Sequence, residues 1–132
     1  MNKEFLYMQK LAGIITENEY KTMLNEGYFM WEDTDTDELK RAKRDLNWWA
    51  NDYALTVFDG NELYFGDLSI LAKKYAKALV DQDDSTSQAT QQKLTQFYNT
   101  WEEYLSGYGQ LEPLKNLIDT YVNEYVKAYS NK

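Results

Sequence analysis

The first proline in the chain is Pro113, and it is the only one. Everything before it lacks proline's fixed φ and missing amide hydrogen, the strongest local obstacle to a helix. Only six glycines punctuate the 132 residues. A chain so poor in breakers is predisposed to long helices, and its apolar residues recur at three- and four-residue steps, as an amphipathic helix requires.

The first such segment is Glu4 to Ala12, with Phe5, Leu6, Met8, Leu11 and Ala12 apolar and Gly13 placed to end it. Thr16 and Glu19 then form a T-x-x-E capping box, in which each side chain satisfies an orphan backbone donor. Ile15 and Tyr20 supply the matching hydrophobic staple, so a second helix is expected from about Glu17 to Leu24, ended by Gly27. The string Leu11-Ala12-Gly13-Ile14-Ile15-Thr16-Glu17-Asn18-Glu19-Tyr20 resembles the SHOCT (short C-terminal domain) family, over residues 4–26 only. It departs from that family in sitting near the start of the sequence and in carrying Met23-Leu24-Asn25-Glu26 in place of a lysine-rich end. The resemblance implies an oligomerisation or docking hairpin without catalytic residues, with Phe5, Met8, Leu11, Ile14, Ile15 and Tyr20 as its contact residues. A local hairpin packed on its own domain is the competing reading of the same residues.

Tyr28-Phe29-Met30-Trp31 is followed by the acidic connector Glu32-Asp33-Thr34-Asp35-Thr36-Asp37. Asp35 and Glu38 make a D-x-x-E box that predicts a helix from about Thr36 to Asn51, with Leu39, Ala42, Leu46, Trp49 and either Ala50 or Tyr53 inward. Lys40, Arg41, Lys43 and Arg44, the densest basic run, fall on the opposite face. Tyr53 to Phe58 and Glu62 to Phe65 are β-prone, and Asp59-Gly60 between them is a hairpin signal. This predicts a short hairpin over about 53–65; a helix through Leu55 with a loop at Asp59 is the alternative. Asp67 is positioned to cap a helix from Leu68 to Val80, and Ser85 with Gln88 to open one reaching Leu105. Ser106-Gly107-Tyr108-Gly109 breaks the pattern, and Pro113 then sits near the start of a last helix with Leu114, Leu117, Ile118, Tyr121, Val122, Tyr125 and Val126 on one stripe. The sequence thus predicts a mainly α single domain over 1–132, a compact bundle of five or six helices with or without that one hairpin. Residues 4–26 form its SHOCT-like part and 28–132 an acidic, aromatic-rich helical body.

The chain contains no cysteine and no histidine. Disulfides, thiolate or imidazole metal sites, cysteine nucleophiles and serine–histidine triads are therefore excluded. The spacing Asp33-x-Asp35-x-Asp37 opens like a calcium loop, but Glu38 stands where glycine is needed and Arg44 where the bidentate glutamate belongs. Glu102 and Glu103 are adjacent and point to different sides of a helix, Asp83 and Asp84 fall in a loop, and Gly107-x-Gly109 lacks the rest of a phosphate loop. No nucleophile has a base beside it, so a non-enzyme without cofactor or metal is expected. No run approaches the length of a membrane span. Met1-Asn2-Lys3-Glu4-Phe5 has no apolar run of the export type, so the cytoplasm is the default compartment.

The net charge is −8, and residues 31–60, with eight acids and four bases, hold half of it. The same quarter carries three of the four tryptophans. Trp48 and Trp49 are neighbours, about 100° apart around a helix, so one narrow stripe cannot bury both. Acidity disfavours direct binding to nucleic acid or anionic lipid and favours a basic protein surface. Trp31, Glu32, Asp33, Asp35, Asp37, Glu38, Trp48, Trp49 and Asp52 are therefore the candidate partner-binding residues. In style, though by no motif, such a chain is similar to the phage counter-defence and anti-CRISPR proteins, which implies an inhibitor occluding a basic nucleic-acid-handling protein, with nucleic-acid mimicry as one route. The alternative is an assembly or adaptor protein, homo-oligomeric through the hairpin at 4–26.

Overall fold

A computed structural model describes residues 29–58 and 63–130. Four helices make up most of them: α1 (Asp37–Val57), α2 (Leu63–Val80), α3 (Asp84–Gly107) and α4 (Leu111–Ser130). There is no strand among the described residues. The two helices expected within 4–26, and with them Phe5, Met8, Leu11, Ile14, Ile15 and Tyr20, lie outside the described residues.

Two of the helices, α1 and α3, begin where a short polar side chain meets an orphan amide. The Leu39 amide of α1 donates to the Thr36 hydroxyl at 3.2 Å. Thr36, not Asp35, is thus the cap, with Asp37 and Glu38 in the first turn where the helix dipole favours them. Asp35 is drawn inward instead. For α3 the cap is Asp83 and not Ser85: the Thr86 amide donates to the Asp83 carboxylate at 3.1 Å. Those Thr86 hydrogen bonds hold the Asp83 carboxyl below its ordinary pKa. At the far end of α3, Gly109 adopts φ +67°. Its amide donates to the Ser106 carbonyl at 3.0 Å and the Gln110 amide to the Leu105 carbonyl at 2.8 Å. This is a Schellman ending, which needs a left-handed residue and finds glycine there. Pro113 lies in the first turn of α4, where its missing donor costs nothing.

The hairpin predicted at 53–65 does not form in the described part of that segment. Tyr53 to Val57 continue α1, Phe58 caps it by donating its amide to the Ala54 carbonyl, and Leu63 already belongs to α2. The helical alternative, running through Leu55, is the one observed. Ala50, Ala54 and Val57 extend the buried stripe begun by Leu39, Ala42, Leu46 and Trp49, so packing on one face outweighs local β propensity. Asp67 consequently sits inside α2 rather than capping it.

The helices pack as α2 against α3, α1 against α4 and α2 against α4, with a slighter α3–α4 contact. Residues 81–83 alone connect α2 to α3, so those two are antiparallel neighbours. Ala72 and Ala76 on the inner face of α2 are fully buried and let the flanking helices approach closely. Ser69 is also buried, its hydroxyl donating to the Phe65 carbonyl at 2.9 Å, so no polar atom is stranded there. Phe58 anchors an aromatic cluster, with ring centroids 5.0 Å from Trp101 and 5.8 Å from Phe97. Trp49 stacks on Phe65 at 5.7 Å, and its indole N–H donates to Gln110 at 3.1 Å, tying α1 to the α3–α4 turn.

Candidate functional site

The residues before α1 run back along that helix. Asn47 holds Phe29 from both sides, accepting from its amide and donating to its carbonyl, each at 2.9 Å. One turn toward the helix start, the Lys43 ammonium donates to the Met30 carbonyl at 2.9 Å. Segment 29–31 is thereby pinned beside the turn of α1 that carries Arg44 and Trp48. Phe29 points inward, fully buried, with its ring 4.6 Å from that of Tyr121. Met30 and Trp31 do not follow it: they are 47% and 58% exposed.

Asp35 is the hub that fixes this segment. Its carboxylate accepts from Lys43 Nζ at 2.7 Å, from the Tyr129 hydroxyl at 2.5 Å and from the Glu32 amide at 2.9 Å. Burial pushes the Asp35 pKa up, but the bonds from Lys43, Tyr129 and the Glu32 amide more than offset that and leave it below the ordinary carboxylate value. The Tyr129 hydroxyl is raised, by burial first and then by Asp35, and so stays protonated as a donor. Three elements meet at this carboxylate: the connector, α1 and the end of α4.

The sequence-derived candidates therefore separate. Trp31, Glu32, Asp33, Asp37, Glu38, Trp48 and Asp52 are exposed. Trp49, at 4%, is a core residue, and Asp35, at 7%, is an internal ion-pair partner, so neither is available to another molecule. The 100° between Trp48 and Trp49 decides which one is out: Trp48 is 56% exposed, with the Arg44 guanidinium 4.6 Å above its ring. The basic run divides likewise. Lys43 turns inward to Asp35 and Arg44 covers Trp48, while Arg41 faces solvent. Asp33, Asp35 and Asp37 do not converge, and no group of three metal-ligating side chains comes together among the described residues.

Sequence reasoning missed the Asp35–Lys43–Tyr129 triad. Tyr129 lies one helical turn beyond the stripe on α4, and Asp35 and Lys43 are both residues that normally face water. The one available signal was the i, i+4, i+8 repeat of Tyr121, Tyr125 and Tyr129.

No helix among the described residues is long and apolar enough to cross a membrane. Compared with protein-family models, curated proteins and solved structures, the chain shows no match.

Proposed function

We propose that the chain is a non-enzymatic binding protein that occludes a basic, nucleic-acid-handling partner. The observation that carries this reading is the exposure of Trp31 and Trp48, at 58% and 56%, in a molecule whose Trp49 is buried. Tryptophan is the side chain most enriched at interface hot spots, since it contributes a large rigid apolar area with little rotamer entropy to lose. Met30 adds a third exposed apolar group to the same segment. Glu32, Asp33, Asp37, Glu38 and Asp52, all exposed, add carboxylates along the connector and α1. Carboxylates so exposed steer the molecule toward a cationic groove and disfavour acidic competitors. A groove built to release counterions on binding phosphates offers the same gain to carboxylates.

The test is affinity capture from a host lysate with the full chain and with the Trp31→Ala/Trp48→Ala double variant, at low and high salt. The expected result is a nucleic-acid-binding protein retained by the wild type, released at about 0.5 M salt where screening is short-ranged, and lost from the variant. The captured protein should also lose its nucleic acid when the chain is added. Identical capture by wild type and variant would sink the reading.

A further inference from the structure

α3 lies at the margin of the bundle, against α2 and only slightly against α4. Of its 24 residues only Thr90, Leu94 and Leu105 are buried. The face turned away from them carries Ala89, Lys93, Gln96, Thr100, Glu103 and Gly107, all exposed. These follow at steps of four, three, four, three and four residues, which keeps them on one stripe with the spacing of a seam between two helices. No described element covers that stripe.

Lys93 is the only charged residue between Ser85 and Trp101, in a chain whose net charge is −8. Copies of so acidic a chain repel one another, and least across a face with so little charge of its own. Lys93 and Glu103 form no ion pair with any described residue. No opposite charge stands three or four residues from either along α3, so neither has an intrahelical partner. Gly107 is equally unaccounted for. It has no left-handed backbone, and nothing lies within 4 Å of an added Cβ, so the isolated bundle has no need of glycine there.

Two copies of this stripe are complementary when antiparallel. With a two-fold axis midway between Gln96 and Thr100, Gln96 meets the partner's Thr100, Lys93 meets the partner's Glu103, and Ala89 meets the partner's Gly107. Each contact occurs twice, as an isologous interface requires. Lys93 and Glu103 are about 15 Å apart along the helix, so the two ion pairs bracket the axis and fix the register. Glycine opposite alanine lets the backbones approach at both ends. Tyr104, beside Glu103 and 50% exposed, adds the apolar area that the polar seam lacks.

We propose that this face of α3 joins two copies of the chain in an antiparallel dimer, held in register by reciprocal Lys93–Glu103 ion pairs. Polar seam residues specify register at a cost in stability, so the dimer is weak. The contact uses neither Trp31 nor Trp48, so this inference and the partner-binding reading can fail separately.

Sedimentation equilibrium of the full chain, at about 0.15 M salt and up to about 500 μM, tests it. The wild type should dimerise with a Kd below about 300 μM. Lys93→Glu and Glu103→Lys each set like charges against each other at both pairs and should weaken the dimer by about tenfold or more. The Lys93→Glu/Glu103→Lys double variant should return to within about threefold of the wild type. Glu102→Lys makes the same charge change one residue off the stripe and should not weaken the dimer. Gly107→Gln has room in the isolated bundle and should weaken the dimer by about fivefold or more, with helical circular dichroism unchanged. The proposal is overturned if the chain stays monomeric throughout, or if a dimer forms that none of these changes affects, as one joined through residues 4–26 would be. It is also overturned if the double variant is no tighter than the singles, or if Glu102→Lys weakens the dimer as much as Glu103→Lys.

Discussion

At the scale of single residues, Asp35 and Lys43 carry the highest stakes. A buried ion pair adds little beyond a matched apolar pair, but removing one member leaves an uncompensated charge. Asp35→Ala or Lys43→Met alone should therefore cost about 3 kcal/mol in urea unfolding. The combined Asp35→Leu/Lys43→Met variant should recover much of that loss, and a double variant as unstable as the two singles added would refute the pairing. The same carboxylate sets a pH dependence. Its pKa is lowered in the folded chain, so its contribution is complete above the unfolded carboxylate value and lost as pH falls through the lowered one. The wild type should lose stability on going from pH 6 to pH 3, and Asp35→Asn should show a shallower decline over that window.

At the scale of elements, the decisive features are the ends of helices. Gly109 closes α3 in a left-handed conformation at φ +67°, with no atom near enough to obstruct an added Cβ. Gly109→Ala thus tests backbone strain alone and should cost about 1 kcal/mol, read as a lower midpoint in denaturant with an unchanged slope. Gly107, two residues earlier, also has open space but no such φ, and Gly107→Ala should be neutral or slightly stabilising. Thr36→Ala removes the cap of α1 and should cost about 1 kcal/mol. Locating these ends was only partly possible from the sequence. The Gly109 break and the Pro113 start are legible because each rests on one residue's covalent geometry. The caps of α1 and α3 were displaced by one and two positions, because Asp35, Thr36, Asp83 and Ser85 can all accept an amide and the choice depends on where each chain segment enters the bundle. The 53–65 segment shows the same limit: Tyr53, Val57 and Phe58 suit a strand by propensity, but the helix runs on to Val57 and Phe58 caps it, because Ala54, Val57 and Phe58 pack in the core.

At the scale of the whole molecule, the exposed tryptophans and the bundle should be separable. Trp31→Ala and Trp48→Ala remove side chains already more than half in solvent, so each should change stability by less than about 0.5 kcal/mol while affecting partner capture. Trp49→Ala removes a buried ring and should cost about 3 kcal/mol or more. Acrylamide should accordingly quench Trp31 and Trp48 well before Trp49. The assembly reading is tested at the same scale by sizing the full chain against one beginning at Tyr28. A larger species seen only with the full chain supports an oligomerising hairpin at 4–26, and equal monomers remove it.

The sequence by itself determined the helical class, the buried stripes of α1 and α4, the absence of cysteine and histidine chemistry, and the concentration of acid and tryptophan in residues 31–60. Those follow from composition and from the 3.6-residue period, which are properties of the chain alone. The tertiary structure decided which of two adjacent tryptophans faces solvent and turned Asp35 and Lys43 inward onto Tyr129. These pairings join residues as many as 94 positions apart. No local pattern encodes them, because a charged side chain turns inward only where the packed helices bring its counter-charge and hydrogen-bond donors to the same point.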